Sequence, residues 1–169
     1  MRFRMTTAAL LTTLLTALTA LAAGCAAAGA DPGYSQADVR FNQQMITHHR
    51  ETIHLAGLAV ERGSGAYVRD LGARLIPKEQ ADIKAMSDWL TSWDQPVPKE
   101  ETSTAGAELK AGPGFDRGWL TLVSKHLEHG IHMAEEVKAG GVHGPTHELA
   151  DRIVEAQTEE IAEIAGHLD

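Results

Sequence analysis

Residues 45–56 read "MITHHRETIHLA", and residues 124–134 read "SKHLEHGIHMA". Both are rich in histidine and carry apolar residues at helical spacing. A constant offset of 78 relates them, pairing His48 with His126, Ile53 with Ile131, His54 with His132 and Ala56 with Ala134. The register runs outward without a gap, through Asp38 and Asp116, Gly63 and Gly141, Leu71 and Leu149, Arg74 and Arg152, to Leu90 and Leu168. Phe41 with Trp119 and Asp82 with Glu160 are conservative pairs in the same register. The duplicated unit is a pair of helices joined by a glycine turn. Each αα-hairpin leaves one apolar stripe uncovered, so two of them are expected to close into an all-α four-helix bundle about a pseudo-two-fold axis.

The helices expected are 36–62, closed by the turn Gly63–Gly65; 66–93; 115–139, stopped by Gly140–Gly141; and 145–168, opened by Pro145. Pro77 should kink or open the second. The domain is then 37–169, with repeats at 37–93 and 115–169 joined by a polar, proline-containing linker at 94–114.

The N-terminus reads differently. Arg2 and Arg4 precede an apolar run from Ala8 to Ala23, and no acidic residue occurs before Asp31. This is the pattern of a secretory signal over residues 1–24. It ends at "LAAGC", where Cys25 is the single cysteine of the chain. Small residues before a lone cysteine resemble a lipobox, which implies lipidation at Cys25 and a membrane anchor, although Ala22 stands where leucine is usual. The alternative is ordinary cleavage. Residues 25–36 then form a tether. Beyond the signal stand 13 basic and 23 acidic residues, the wrong sign for nucleic-acid binding. One cysteine leaves no disulfide framework and no thiolate zinc site.

Stepping by about 100° per residue sorts the histidines by face. Phe41, Met45, Thr52, Leu55, Ala56 and Ala59 form the stripe of the first helix, with His48 and His49 in or beside it and His54 turned to water. On the third helix the stripe is Phe115, Trp119, Val123, Leu127, Gly130, Ala134 and Val137. His126 lies inside it and His129 at its edge, while His132 faces solvent. His126, His129 and Met133 share a face. Glu79 falls on the core side of the second helix with Asp82 at its edge, and Gln157 and Glu160 are their repeat mates. Buried carboxylates and amides need partners, and the core histidines are the available ones. Two readings follow: hydrogen bonds that fix the register, or a metal site built from Met45, His48, His49, His126, His129 and Met133, supported by Glu79, Asp82, Gln157 and Glu160. His143 and His147 read as a solvated loop, and His167 as a residue of the last turn.

The motif Asp38-x2-Phe41-x3-Met45-Ile46-x-His48-His49-x3-Ile53-x-Leu55-Ala56, with its weaker echo around His126, resembles the family called domain of unknown function 305. The resemblance spans the domain, including Glu79-x2-Asp82-Ile83-x2-Met86-x2-Trp89-Leu90. It implies a ferritin-like bundle, export, frequent lipid anchoring and, in some relatives, copper. Leu127 stands where the family carries its second histidine, Val123 and Ser124 where Met-Ile is typical, and the linker holds no methionine.

The function expected is therefore an exported, lipid-anchored envelope protein that binds a transition metal, copper foremost, through histidine and methionine. The rival is a metal-free structural or partner-binding module. A di-iron enzyme would need two inward Glu-x-x-His motifs and two further glutamates, and only Glu51-x-x-His54 has that form, so no enzymatic role is expected.

Overall fold

A computed structural model describes residues 33–169. The expected signal peptide, Cys25 and most of the tether lie outside the described residues. Four helices follow in order: α1 (Gln36–Arg62), α2 (Ala66–Ser92), α3 (Phe115–Gly140) and α4 (Gly144–Leu168). They form two antiparallel hairpins that meet mainly through α1 and α3. Among the described residues there is no strand, and no helix is long and apolar enough to cross a membrane.

Each start has a local cause. Ser35 caps α1 by accepting from the amides of Ala37 and Asp38, and Asp38 accepts in return from the Ser35 amide, the reciprocal arrangement that satisfies otherwise orphaned first-turn donors. His143 caps α4 by accepting from the Thr146 amide, with Pro145 in the first turn. The expected solvated loop at His143 and His147 is thus corrected. Because the ring itself closes the helix terminus, α4 begins at Gly144. The helical assignment of α2 runs unbroken through Pro77.

The repeat is legible in the contacts that join the hairpins. Asp38 accepts from the amides of Val142 and His143 at the α3–α4 turn, and its repeat mate Asp116 accepts from those of Ser64 and Gly65 at the α1–α2 turn. Each hairpin therefore pins the turn of the other through one carboxylate. Burial alone would raise both carboxyl groups, but these donors hold them below the usual carboxylate range.

The core is divided in two. One apolar cluster gathers Leu55, Leu71, Leu75, Trp119, Leu127 and Ile164. The other gathers Phe41, Met45, Met86, Leu90, Leu149 and Ile153. Between them lies a polar waist of buried His48, His49, Thr52, Glu79 and Gln157. Polar groups at this depth must be paired or cost several kcal/mol each, about 2–7 by transfer measurements. The waist is therefore where the chain spends stability on something other than packing.

The linker is a strap laid along the outside of α1. Gln43 donates to the Pro96 carbonyl, Arg50 to those of Pro98 and Lys99, and Arg62 to that of Leu109, while the His54 ring bonds the Ala105 carbonyl. His54, expected in water, is thus half-buried beneath this strap. Gly106 adopts φ 72° and seats against Leu55, Leu58 and Leu122, where a side chain would meet Leu58 at 2.9 Å.

Candidate metal centre

The pseudo-two-fold axis passes through a pair of stacked imidazoles. The rings of His48 and His126 lie 3.9 Å apart, centroid to centroid, with planes 7° from parallel. Each reaches across to the other helix. His48 Nε2 donates to the His126 carbonyl at 2.9 Å, and His126 Nε2 approaches the His48 carbonyl at 3.3 Å. Thr52 Oγ1 donates to the His48 carbonyl at 3.1 Å and accepts from His126 Nε2 at 2.9 Å. A carbonyl can only accept, so both rings carry their proton on Nε2 and leave a lone pair on Nδ1. His48 Nδ1 is buried and has no hydrogen-bond partner. Burial, then the neighbouring His126, pushes the His48 ring down to about 3, and burial likewise lowers His126. Both are neutral at pH 7.

Gly130 makes this approach possible. A Cβ there would collide with the Gln157 amide oxygen and meet His48 Cε1 at 2.9 Å. The repeat mate of Gly130 is Thr52, so the two sides of the waist are complementary rather than identical.

The stacked pair opens into a cavity of about 930 Å³ whose lining includes His48, Glu51, His126, His129 and Met133, rimmed by Pro96 and Pro98 of the strap. The His129 ring stands edge-on to His48 at 5.7 Å. Glu51 Oε1 lies 3.6 Å from His126 Nδ1. Glu51 is a residue that the face analysis did not select, although it sits one turn beyond His48 and its repeat mate is His129.

The other expected site residues go elsewhere. His49 points away from the cavity, with Nδ1 2.8 Å from Glu79 and Nε2 3.6 Å from Asp82. Burial alone would lower its affinity for a proton, but the two carboxylates outweigh burial and raise it to about 9. His49 is turned toward Glu79 and Asp82 as an imidazolium, a form with no lone pair to offer a metal. Met45 is fully buried in an apolar cluster. In the second half Leu127 replaces the ring of His49, and the carboxylate of Glu79 becomes the neutral Gln157. The charge disappears from both partners together. Glu160 pairs with Lys78 at 2.6 Å, and burial raises it despite that lysine. Glu79, Asp82 and Gln157 line a smaller groove of about 330 Å³ that also includes Lys78 and Arg152. His132 is exposed, and His167 stacks on Tyr67 at 3.5 Å.

Among the described residues no group of three or more His, Cys, Asp or Glu side chains is gathered to hold a metal ion. What the cavity offers instead is a mixed set: free imidazole nitrogen, a thioether and one carboxylate. Imidazole and thioether donors suit copper and its soft congeners, and the orphaned His48 Nδ1 is the kind of group such an ion satisfies.

A family model described as "Domain of unknown function (DUF305)" matches residues 38–168. Among solved structures, CopM in the Cu(I)-bound form superposes with a TM-score of 0.68 at 25% identity, covering 76% of this chain and 93% of that one. CopM in a silver-bound form gives 0.69 at 25% identity, over 76% and 92%. A DUF305 protein from Streptomyces coelicolor gives 0.72 at 24% identity, over 78% and 90%. Among curated proteins none matches the chain.

Proposed function

The chain belongs to the family described as domain of unknown function 305, and from that premise we propose that it binds a soft transition-metal ion, copper foremost, in the cavity at its waist. The observation that carries the reading is His48 Nδ1, a buried lone pair without a partner in a ring that lines the same cavity as His129 and Met133. Those three residues would hold the ion, with His126 stacked behind His48 to fix its orientation. The ion supplies the positive charge that the lone pairs lack; the chain supplies a preset tautomer, through the two carbonyl bonds, and a dry wall on one side. The Cu(I)-bound and silver-bound structures of CopM support the same chemistry. The apolar run 8–23 and the lone Cys25 support export and a lipid anchor on that cysteine.

The test is a Cu(I) titration against a competing chelator. We expect one tight ion in the parent, and an affinity at least tenfold lower in His48→Ala and in Met133→Leu. Equal affinity in all three would reject the site. A second reading, a metal-free structural module, draws support from the carbonyl and Thr52 bonds that satisfy Nε2 of both stacked rings without an ion. It requires a melting temperature indifferent to copper and to chelators, whereas a ligand at a hundred times its Kd adds about 2.7 kcal/mol to the folded state.

A further inference from the structure

The Glu51–His126 contact has no use in that proposal. His126 donates from Nε2 to Thr52, so the neutral ring presents a lone pair at Nδ1. Facing it at 3.6 Å is a carboxylate oxygen. Two acceptors are thus turned toward each other at the wet edge of the cavity. The separation is too long for a hydrogen bond. It matches two ligands that share one ion: with bonds of about 2.1 Å, donors 3.6 Å apart subtend roughly 120° at the ion. The pseudo-two-fold axis sharpens the point. The positions flanking the stacked rings are repeat mates, yet one is Glu51 and the other His129. The same cavity is therefore lined by a carboxylate beside His126, an imidazole beside His48 and the Met133 thioether.

Resting on the metal-binding reading above, we propose that Glu51 and His126 Nδ1 form a second cation seat in this cavity, selective for a divalent ion of borderline hardness such as Zn(II). It is distinct from the soft seat at His48, His129 and Met133. Two protein donors leave the remaining coordination positions to water, which the open cavity supplies, so the seat exchanges its ion quickly. Half of the Glu51 side chain is wet, at 43% exposure, which puts this seat at the cavity mouth.

Equilibrium dialysis of the full chain against Zn(II) alone, and separately against Ag(I) alone, tests the partition. Glu51→Gln keeps the size of the side chain and removes the charge. It is expected to lower Zn(II) affinity at least tenfold while leaving Ag(I) affinity within twofold. Met133→Leu is expected to do the reverse. The ¹⁵N resonance of His126 Nδ1 should move on Zn(II) addition in the parent and stay put in Glu51→Gln. If the parent takes up no Zn(II), or if Glu51→Gln binds it within twofold of the parent, the second seat is overturned. Loss of Ag(I) binding by the parent would instead remove the soft seat, and the Zn(II) results would still decide this one.

Discussion

The repeat contains its own control experiment. In the first half His49 is clamped by Glu79, both buried, at 2.8 Å. In the second half the same positions hold Leu127 and Gln157, also buried. Glu79→Gln alone leaves the His49 charge in the core with only Asp82 nearby, 3.6 Å away and 24% exposed. Breaking one partner of a buried pair costs about 3–5 kcal/mol. His49→Leu alone strands the Glu79 carboxylate and should cost a similar amount. The double variant, His49→Leu with Glu79→Gln, copies the pair the chain already uses at 127 and 157. Replacing a buried ion pair by packed neutral groups is often neutral or stabilising. We therefore expect the double variant within about 1.5 kcal/mol of the parent, an exchange that volume-conserving core swaps tolerate. In a domain of this size each kcal/mol moves the melting temperature by about 3 °C. Each single variant should then melt roughly 10–15 °C lower, and the double within a few degrees. Urea denaturation of the four proteins gives the coupling energy. If the double loses the sum of the two singles, His49 and Glu79 do not form a coupled unit and the account of the waist is wrong.

The histidines also fix a pH profile. His49 is raised to about 9 in the folded chain against about 6.5 unfolded, so its contribution is full below pH 6.5 and lost as pH rises through 9. At 1.36 kcal/mol per pH unit this amounts to about 3 kcal/mol, and it should vanish from the alkaline limb in the His49→Leu/Glu79→Gln protein. His48 works in the other direction. Its folded value is about 3, so stability falls as pH drops from 6.5 toward 3, and His48→Gln should flatten that acid limb in urea titrations. Gly130→Ala sets about 1 kcal/mol of helix propensity against a Cβ driven into Gln157 and the His48 ring. Overpacking of this kind costs about 1–3 kcal/mol, so a net loss is expected by thermal melt, with the stacked-ring NMR shifts of His48 and His126 abolished.

The offset of 78 was sufficient to read the two hairpins, the four helices and the apolar stripes, because period and repeat are properties of sequence. It also brought His48 and His126 to one seam. It could not separate His48 from His49. Adjacent residues on a helix both flank the stripe, and their fates diverge only because Glu79 and Asp82 stand on the α2 side. Glu51 was missed for the same reason: at the margin of the stripe it looks solvated until His126 reaches over from α3. The strap was opaque as well. Its bonds run from side chains of α1 to backbone carbonyls of residues 96–109, and a carbonyl has no sequence signature. Met45 shows the limit of spacing arguments: a methionine one turn before a histidine is compatible with a ligand or with packing, and the apolar cluster around it is built by residues far along the chain.

The most direct measurement is anomalous diffraction from crystals soaked in silver. One strong peak is expected in the waist cavity, within bonding reach of His48 Nδ1 and the Met133 thioether, with the His48–His126 stack intact. Silver found only on the exposed His132 or His167, or no ordered silver at all, would contradict it.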